Sequence, residues 1–157
     1  MRLTRHLKIF ADYFQFVVMD EACEDDFGSI WTDEAFGRLL AVGETSVCPG
    51  TLRNVEVPVQ IHVHPSAPEA DLTSYDHAAS ASLSLPTGRL VVMGCTDHMP
   101  DALRIEVPAG SYRVLYLASG VESITTEWDP ADDCYIVHLW PAPPCEPALL
   151  KHWRPGA

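Results

Sequence analysis

VEVPVQIHVH, Val55 to His64, decides the fold. Val55, Val57, Val59, Ile61 and Val63 alternate with Glu56, Pro58, Gln60, His62 and His64. A period of two puts every apolar side chain on one side of an extended chain, so this stretch is a strand with one buried face. Pro58 stands on the polar side and lacks a ladder donor, which places the strand at a sheet edge or beside a bulge. Working outward, His77–Leu85 alternates through Ala79, Ala81, Leu83 and Leu85, and Pro86-Thr87-Gly88 leads from it into RLVVMGC as a hairpin. Leu103–Val107 and Tyr112–Ala118 flank Pro108-Ala109-Gly110 as a second hairpin, and Cys134–Trp140 gives a further strand. Asp12–Met19, aromatic and β-branched, reads as the first strand. These strands predict a core of Val57, Val59, Ile61, Leu83, Leu85, Ile105, Val114, Tyr116 and Val137.

One short helix is expected. Thr32 caps it, Asp33 and Glu34 suit the positive end of its dipole, and Gly43 ends it. Its apolar stripe predicts that Trp31, Phe36, Leu39 and Leu40 are buried on the sheet. The whole reads as an all-β protein, an antiparallel β-sandwich of about 7–9 strands with one short helix. We expect a single β-sandwich domain over residues 1–157, with residues 141–157 forming a proline-rich irregular tail docked by Trp153.

Charge narrows the function. Of 157 residues, 22 are acidic and 10 basic, for a net charge of −12. Nucleic-acid binders displace counterions with a basic face, so no nucleic-acid partner is expected. Seven carboxylates fall in MDEACEDDFGSIWTDEAF, Met19 to Phe36, with no Lys, Arg or His among them. Helix-start chemistry explains Asp33 and Glu34. It leaves Asp20, Glu21, Glu24, Asp25 and Asp26, which we expect on an exposed loop that forms part of a partner-binding face. No apolar run is long enough to span a membrane. The N-terminal MRLTRHLKIF has no long apolar stretch after its charges, so we expect no signal peptide and a cytoplasmic protein. The five cysteines form no CxxC pair and read as reduced, small apolar residues.

Catalytic chemistry has little support. There is no G-x-S-x-G elbow, P-loop or G-x-G-x-x-G. Cys95 precedes Asp97 and His98 only in sequence, which says nothing of their meeting in space. WDPADD (Trp128–Asp133) has closely spaced oxygens but lacks the glycine and distal glutamate of a calcium loop. His62 and His64 share one face of their strand and are the candidate ligands if a metal is held, but no recognised spacing ties His77, His98 or His138 to them. We expect no cofactor and no enzyme.

Several blocks carry a family resemblance: DYFQFVVMD (Asp12–Asp20), WTDEAF (Trp31–Phe36), TLRN (Thr51–Asn54), the alternating strand, SYDHAASASLSLPTGRLVV (Ser74–Val92) and RIEVPAGSYRVLYLA (Arg104–Ala118). In this order they resemble the competence protein J (ComJ-like) family of nuclease inhibitors, over Ala11 to Ala118. The resemblance implies a small acidic protein that binds a nuclease and blocks it. A nuclease holds phosphates with Lys, Arg and His, and carboxylates on a firm surface can occupy such a basic site in place of nucleic acid. The choice of Asp20 to Asp26 for that task rests on charge density, not on the family. The alternative is a metal- or small-molecule-binding β-barrel protein using His62 and His64.

Overall fold

Alternation gives each strand one apolar face, and such faces are stable only against one another. In the computed structural model, which describes residues 2–153, they meet as two stacked sheets. The elements are β1 (Leu3–Phe10), β2 (Phe16–Asp20), α1 (Asp33–Arg38), β3 (Leu40–Val42), β4 (Ser46–Pro49), β5 (Glu56–Val63), β6 (His77–Leu85), β7 (Arg89–Gly94), β8 (Leu103–Glu106), β9 (Gly110–Ser119), β10 (Cys134–Pro141) and β11 (Ala148–Lys151). One sheet has the order β1-β5-β10-β9-β6-β11 and the other β3-β4-β2-β7-β8. Every pairing is antiparallel except that of β10 with β5. The all-β sandwich with one short helix is therefore the observed architecture. All nine expected core residues are buried between the sheets, together with Phe16, Val18 and Leu90 from the second sheet.

The details depart from expectation where the sequence signal is short or ambiguous. The described residues hold eleven strands, not 7–9, because β3, β4 and β11, with three or four residues each, are too short to show a period, whereas β8 lies where a strand was expected. β1 was missed because charged and polar residues flank its inward-facing Leu3, Leu7 and Ile9. The stretch expected as the first strand opens instead with a 3-10 turn at Asp12–Phe14, and the strand starts at Phe16.

Neither expected hairpin forms. β6 and β9 lie in the six-stranded sheet and β7 and β8 in the five-stranded one, so Pro86–Gly88 and Pro108–Gly110 are corners that carry the chain between sheets. Gly88 has φ +71°, a conformation that glycine adopts without the Cβ penalty, and its carbonyl accepts the Val107 N–H at 2.8 Å, joining one corner to the other. Nor is the Val55–His64 strand at an edge, since β5 lies between β1 and β10. The β10 ladder starts at Val59, one residue beyond Pro58, so the missing donor falls where no partner is present.

α1 begins as expected, with Thr32 Oγ1 accepting the Ala35 N–H at 3.1 Å. It ends at Arg38, not Gly43, because Leu39 turns left-handed (φ +53°). A six-residue helix is too short to bury a full stripe. Ala35 is its one buried residue, Leu40 is buried as part of β3, Trp31 and Leu39 are half-buried, and Phe36 is exposed. The expected irregular tail carries β11, which pairs with β6, while residues 154–157 lie outside the described residues. Trp153 does pack against the core, and its N–H donates to Nδ1 of the buried His77, whose Nε2 donates to the Arg38 carbonyl.

The core reading predicts that Ile61→Ala, at 1% exposure, lowers unfolding free energy by about 2–5 kcal/mol in denaturant titration. A loss below about 0.5 kcal/mol would place Ile61 outside the load of the core.

Candidate functional site

The loop from Glu21 to Thr32 is a lid over the outer face of the five-stranded sheet. Its Phe27, Ile30 and Trp31 pack on Val17, Met19, Ala41, Cys48, Val91 and Met93, which is why β2 is buried on both faces. Three of the five expected surface carboxylates serve this lid. Asp20 is fully buried, not exposed: Oδ1 accepts from the N–H (3.0 Å) and hydroxyl (2.8 Å) of Thr87, and Oδ2 accepts from the Ala22 N–H (3.0 Å). Three donors at the sheet-to-sheet corner satisfy a carboxylate that would otherwise stay in water. Glu21 bridges Arg89 and Arg104, and their hydrogen bonds, Arg89 first, hold its carboxyl below the ordinary range. Asp25 is half-buried, with Oδ2 accepting from Thr45 N–H (3.0 Å) and Ser46 Oγ (2.6 Å). Burial works to raise the Asp25 pKa, and the hydrogen bonds from Ser46 and Thr45 outweigh it, so the carboxyl sits below its ordinary value. A Cβ on Gly43 would lie 2.4 Å from this carboxylate oxygen, so Gly43 makes room for the lid and does not stop the helix. Glu24 and Asp26 face solvent, as do Asp33 and Glu34.

Beside Asp26 opens a cleft of about 670 Å³, the size of a small-ligand or side-chain pocket. Tyr13, Phe14, Phe27, Trp31, Phe36 and Leu39 supply its aromatic and aliphatic walls, and among the described residues no Lys or Arg lines it. Exposure is high for its lips: Tyr13 70%, Phe36 61% and Phe14 40%. The three non-glycine residues with left-handed φ among the described residues are Tyr13 (+60°), Phe14 (+59°) and Leu39 (+53°), and all three line this cleft. Each such residue costs about 1–3 kcal/mol and persists only where its surroundings hold it. Here the Phe14 carbonyl accepts the Thr51 N–H and the Leu39 carbonyl accepts the Gly50 N–H, both at 2.8 Å. Trp31 Nε1 donates to Oε1 of the buried Gln15 at 2.8 Å, and the Trp31 and Phe36 rings meet at 5.1 Å. Cys95 is a further wall residue, and burial pushes its thiol up to about 11, so it is a neutral group and not a thiolate nucleophile. The sequence reading placed Phe36 in the core and Tyr13 in a strand, so it missed the cleft. A double aromatic followed by a stretch buried on both faces was the available signal.

The second oxygen-rich stretch is also spoken for. Asp133 is buried and paired with Arg53 (2.6 Å), and it accepts the Tyr135 hydroxyl at 2.7 Å. Arg53 also donates to the Asp129 carbonyl at 2.9 Å. WDPADD is neither a calcium loop nor a plain solvated turn but half of an internal ion pair.

On the outer face of the other sheet, the parallel register sets His138 opposite His62, with His64 next along the strand. The imidazoles stack, with centroids 4.7 Å apart for His62–His138 and 5.0 Å for His64–His138. The sequence offered no spacing that ties His138 to the pair, because the link is a strand pairing. Their nitrogens bond pairwise: His64 Nε2 with His138 Nδ1 at 2.8 Å, His62 Nδ1 with Thr4 Oγ1 at 3.0 Å, and His62 Nε2 with Gln60 Oε1 at 3.0 Å. Among the described residues, no three His, Cys, Asp or Glu side chains converge as metal ligands. Burial first, then the neighbouring imidazoles, pushes His138 down to about 4, and burial also lowers His62 and His64.

The stack predicts an acid-side loss of stability. These groups titrate below their ordinary 6.5 when folded, so the unfolded chain binds protons first as pH falls. Their contribution is full above about pH 6.5 and drains away towards about pH 4. Thermal melts of His138→Gln should show a shallower fall across that window than the unaltered protein. Parallel curves would mean the stack carries no linkage.

No family model matches the chain, and no curated protein does. Solved structures share its architecture. The crystal structure of ComJ, inhibitor of the DNA degrading activity of NucA, from Bacillus subtilis, is 17% identical with a TM-score of 0.71, over 90% of this chain and 99% of that one. The crocagin biosynthetic gene J protein is 23% identical with a TM-score of 0.62, over 90% of this chain and 98% of that one. The resemblance to ComJ-like proteins thus holds at the level of the fold, and over more of the chain than the blocks that first carried it.

Proposed function

We propose that this protein is a non-enzymatic inhibitor of a nuclease, which it binds through the face formed by the lid and the aromatic cleft. The observation that carries the reading is the cleft itself, an exposed aromatic surface with Asp26 on its wall and no cation lining it among the described residues. Asp33 and Glu34 at the start of α1, and Glu24 on the lid, extend the negative field around it. Such a surface complements a basic active site and repels nucleic acid. The ComJ fold supports the inhibitor class. Of the five carboxylates first singled out, Glu24 and Asp26 meet the partner, and Asp20, Glu21 and Asp25 hold the lid in shape. The encounter belongs in the cytoplasm, where five free cysteines stay reduced. No helix among the described residues is long and apolar enough to cross a membrane. The pairwise-bonded histidines give the metal-binding alternative less support.

Glu24→Gln with Asp26→Asn tests the reading in stopped-flow association with the inhibited nuclease. The double variant should keep its stability, associate several-fold more slowly at low salt, and converge with the unaltered protein as the Debye length shrinks from about 8 Å to about 3 Å near 1 M salt. Unchanged rates at every ionic strength would remove the carboxylates from the interface, and failure to bind any nuclease would contradict the function.

A further inference from the structure

Resting on that reading, we infer that the cleft is an anchor pocket for one aromatic side chain of the partner, presented between Lys or Arg residues that reach Asp26 and Glu24. The carboxylates alone do not make a tight interface: Asp20, Glu21 and Asp25 are engaged inside the protein, and the two that remain are solvated. Exposed charge contributes mainly to the association rate. Residence time comes from aromatic anchors seated in dry pockets near the centre of an interface.

The cleft has the form of such a pocket. Its walls are Tyr13, Phe14, Phe27, Trp31, Phe36 and Leu39, and the indole N–H of Trp31 is already satisfied by Gln15. An entering apolar group therefore strands no buried donor there. Tyr13, Phe14 and Leu39 hold strained backbone that turns the chain at the cleft, and strain confined to one site is a mark of use. The occupant follows from charge. A second copy of this chain, at −12, brings the same acidic rim and is repelled. An anionic lipid or nucleotide finds no cation among the described residues that line the cleft. A basic segment with an aromatic residue matches both wall and rim.

The probe is a synthetic peptide, Lys-Lys-Phe-Lys-Lys with blocked ends, titrated against the full chain with backbone amide NMR as readout. Its controls are Lys-Lys-Ala-Lys-Lys for charge alone and Glu-Glu-Phe-Glu-Glu for the ring alone. The Phe peptide should shift amides around Phe14, Phe36 and Thr51 and bind at least about tenfold more tightly than the Ala peptide. The acidic peptide should not bind. Tyr13→Asn with Phe36→Ser should erase the Phe preference while keeping residual charge-driven binding. Both positions are exposed and Asn tolerates left-handed backbone, so the amide spectrum should otherwise match that of the unaltered protein. Equal binding of the Phe and Ala peptides overturns the anchor while leaving the acidic face standing. Equal binding of the acidic peptide overturns the basic partner and assigns the cleft to neutral apolar ligands. Shifts confined to the His62–His138 face overturn both the anchor and the reading beneath it.

Discussion

The four residues Gly50 to Arg53 hold the candidate site together. Both lips of the cleft hang on them, Leu39 through the Gly50 N–H and Phe14 through the Thr51 N–H. The same stretch is anchored from below by the six-stranded sheet. The Tyr116 hydroxyl donates to the Gly50 carbonyl, the Leu52 N–H donates to the Tyr135 hydroxyl, and Arg53 is paired with Asp133 in the interior. A buried pair of this kind adds little net stability over apolar packing, but losing one partner leaves an uncompensated charge and costs about 3–5 kcal/mol. That asymmetry suits a device that fixes one geometry. It gives the strained backbone at Tyr13, Phe14 and Leu39 the rigid support that such conformations require.

The acidic lid looks in sequence like a single feature and is in fact two. Its apolar residues and three carboxylates do structural work, covering the second sheet and tying β2, β4, β7 and β8 to the lid. What remains for recognition is a small number of solvated charges around an apolar cleft. This division matches the physics of association, in which long-range field and short-range burial act on different rate constants. It also explains how seven carboxylates coexist within one short segment: several are neutralised or hydrogen-bonded internally, so the repulsion among them is lower than the sequence implies.

What the sequence showed was what repeats. The Val55–His64 alternation gave the two-faced strand and three of the nine core residues, the apolar positions of the other legible strands gave the remaining six, and Thr32 with Asp33 and Glu34 gave the helix start. Hidden from it were the consequences of contact. Pro86–Gly88 and Pro108–Gly110 have hairpin chemistry, yet only the packing of two sheets tells a corner from a hairpin. Phe36 fits an apolar stripe, and only the early left-handed stop at Leu39 leaves it outside. Asp20 reads as a surface charge until Thr87, distant in sequence, supplies its donors. His138 joins His62 only through a parallel pairing that no local spacing encodes.

The claim that the lid and cleft form the partner-binding face is open to direct test by hydrogen exchange on the protein bound to its nuclease, compared with the protein alone. The account predicts slowed exchange in the segments 12–15, 24–31 and 36–39, with Gly50 and Thr51 already protected in the free protein, and no change at His62, His64 and His138. Protection centred on the histidine face of the other sheet, with residues 12–39 exchanging as in the free protein, would contradict it.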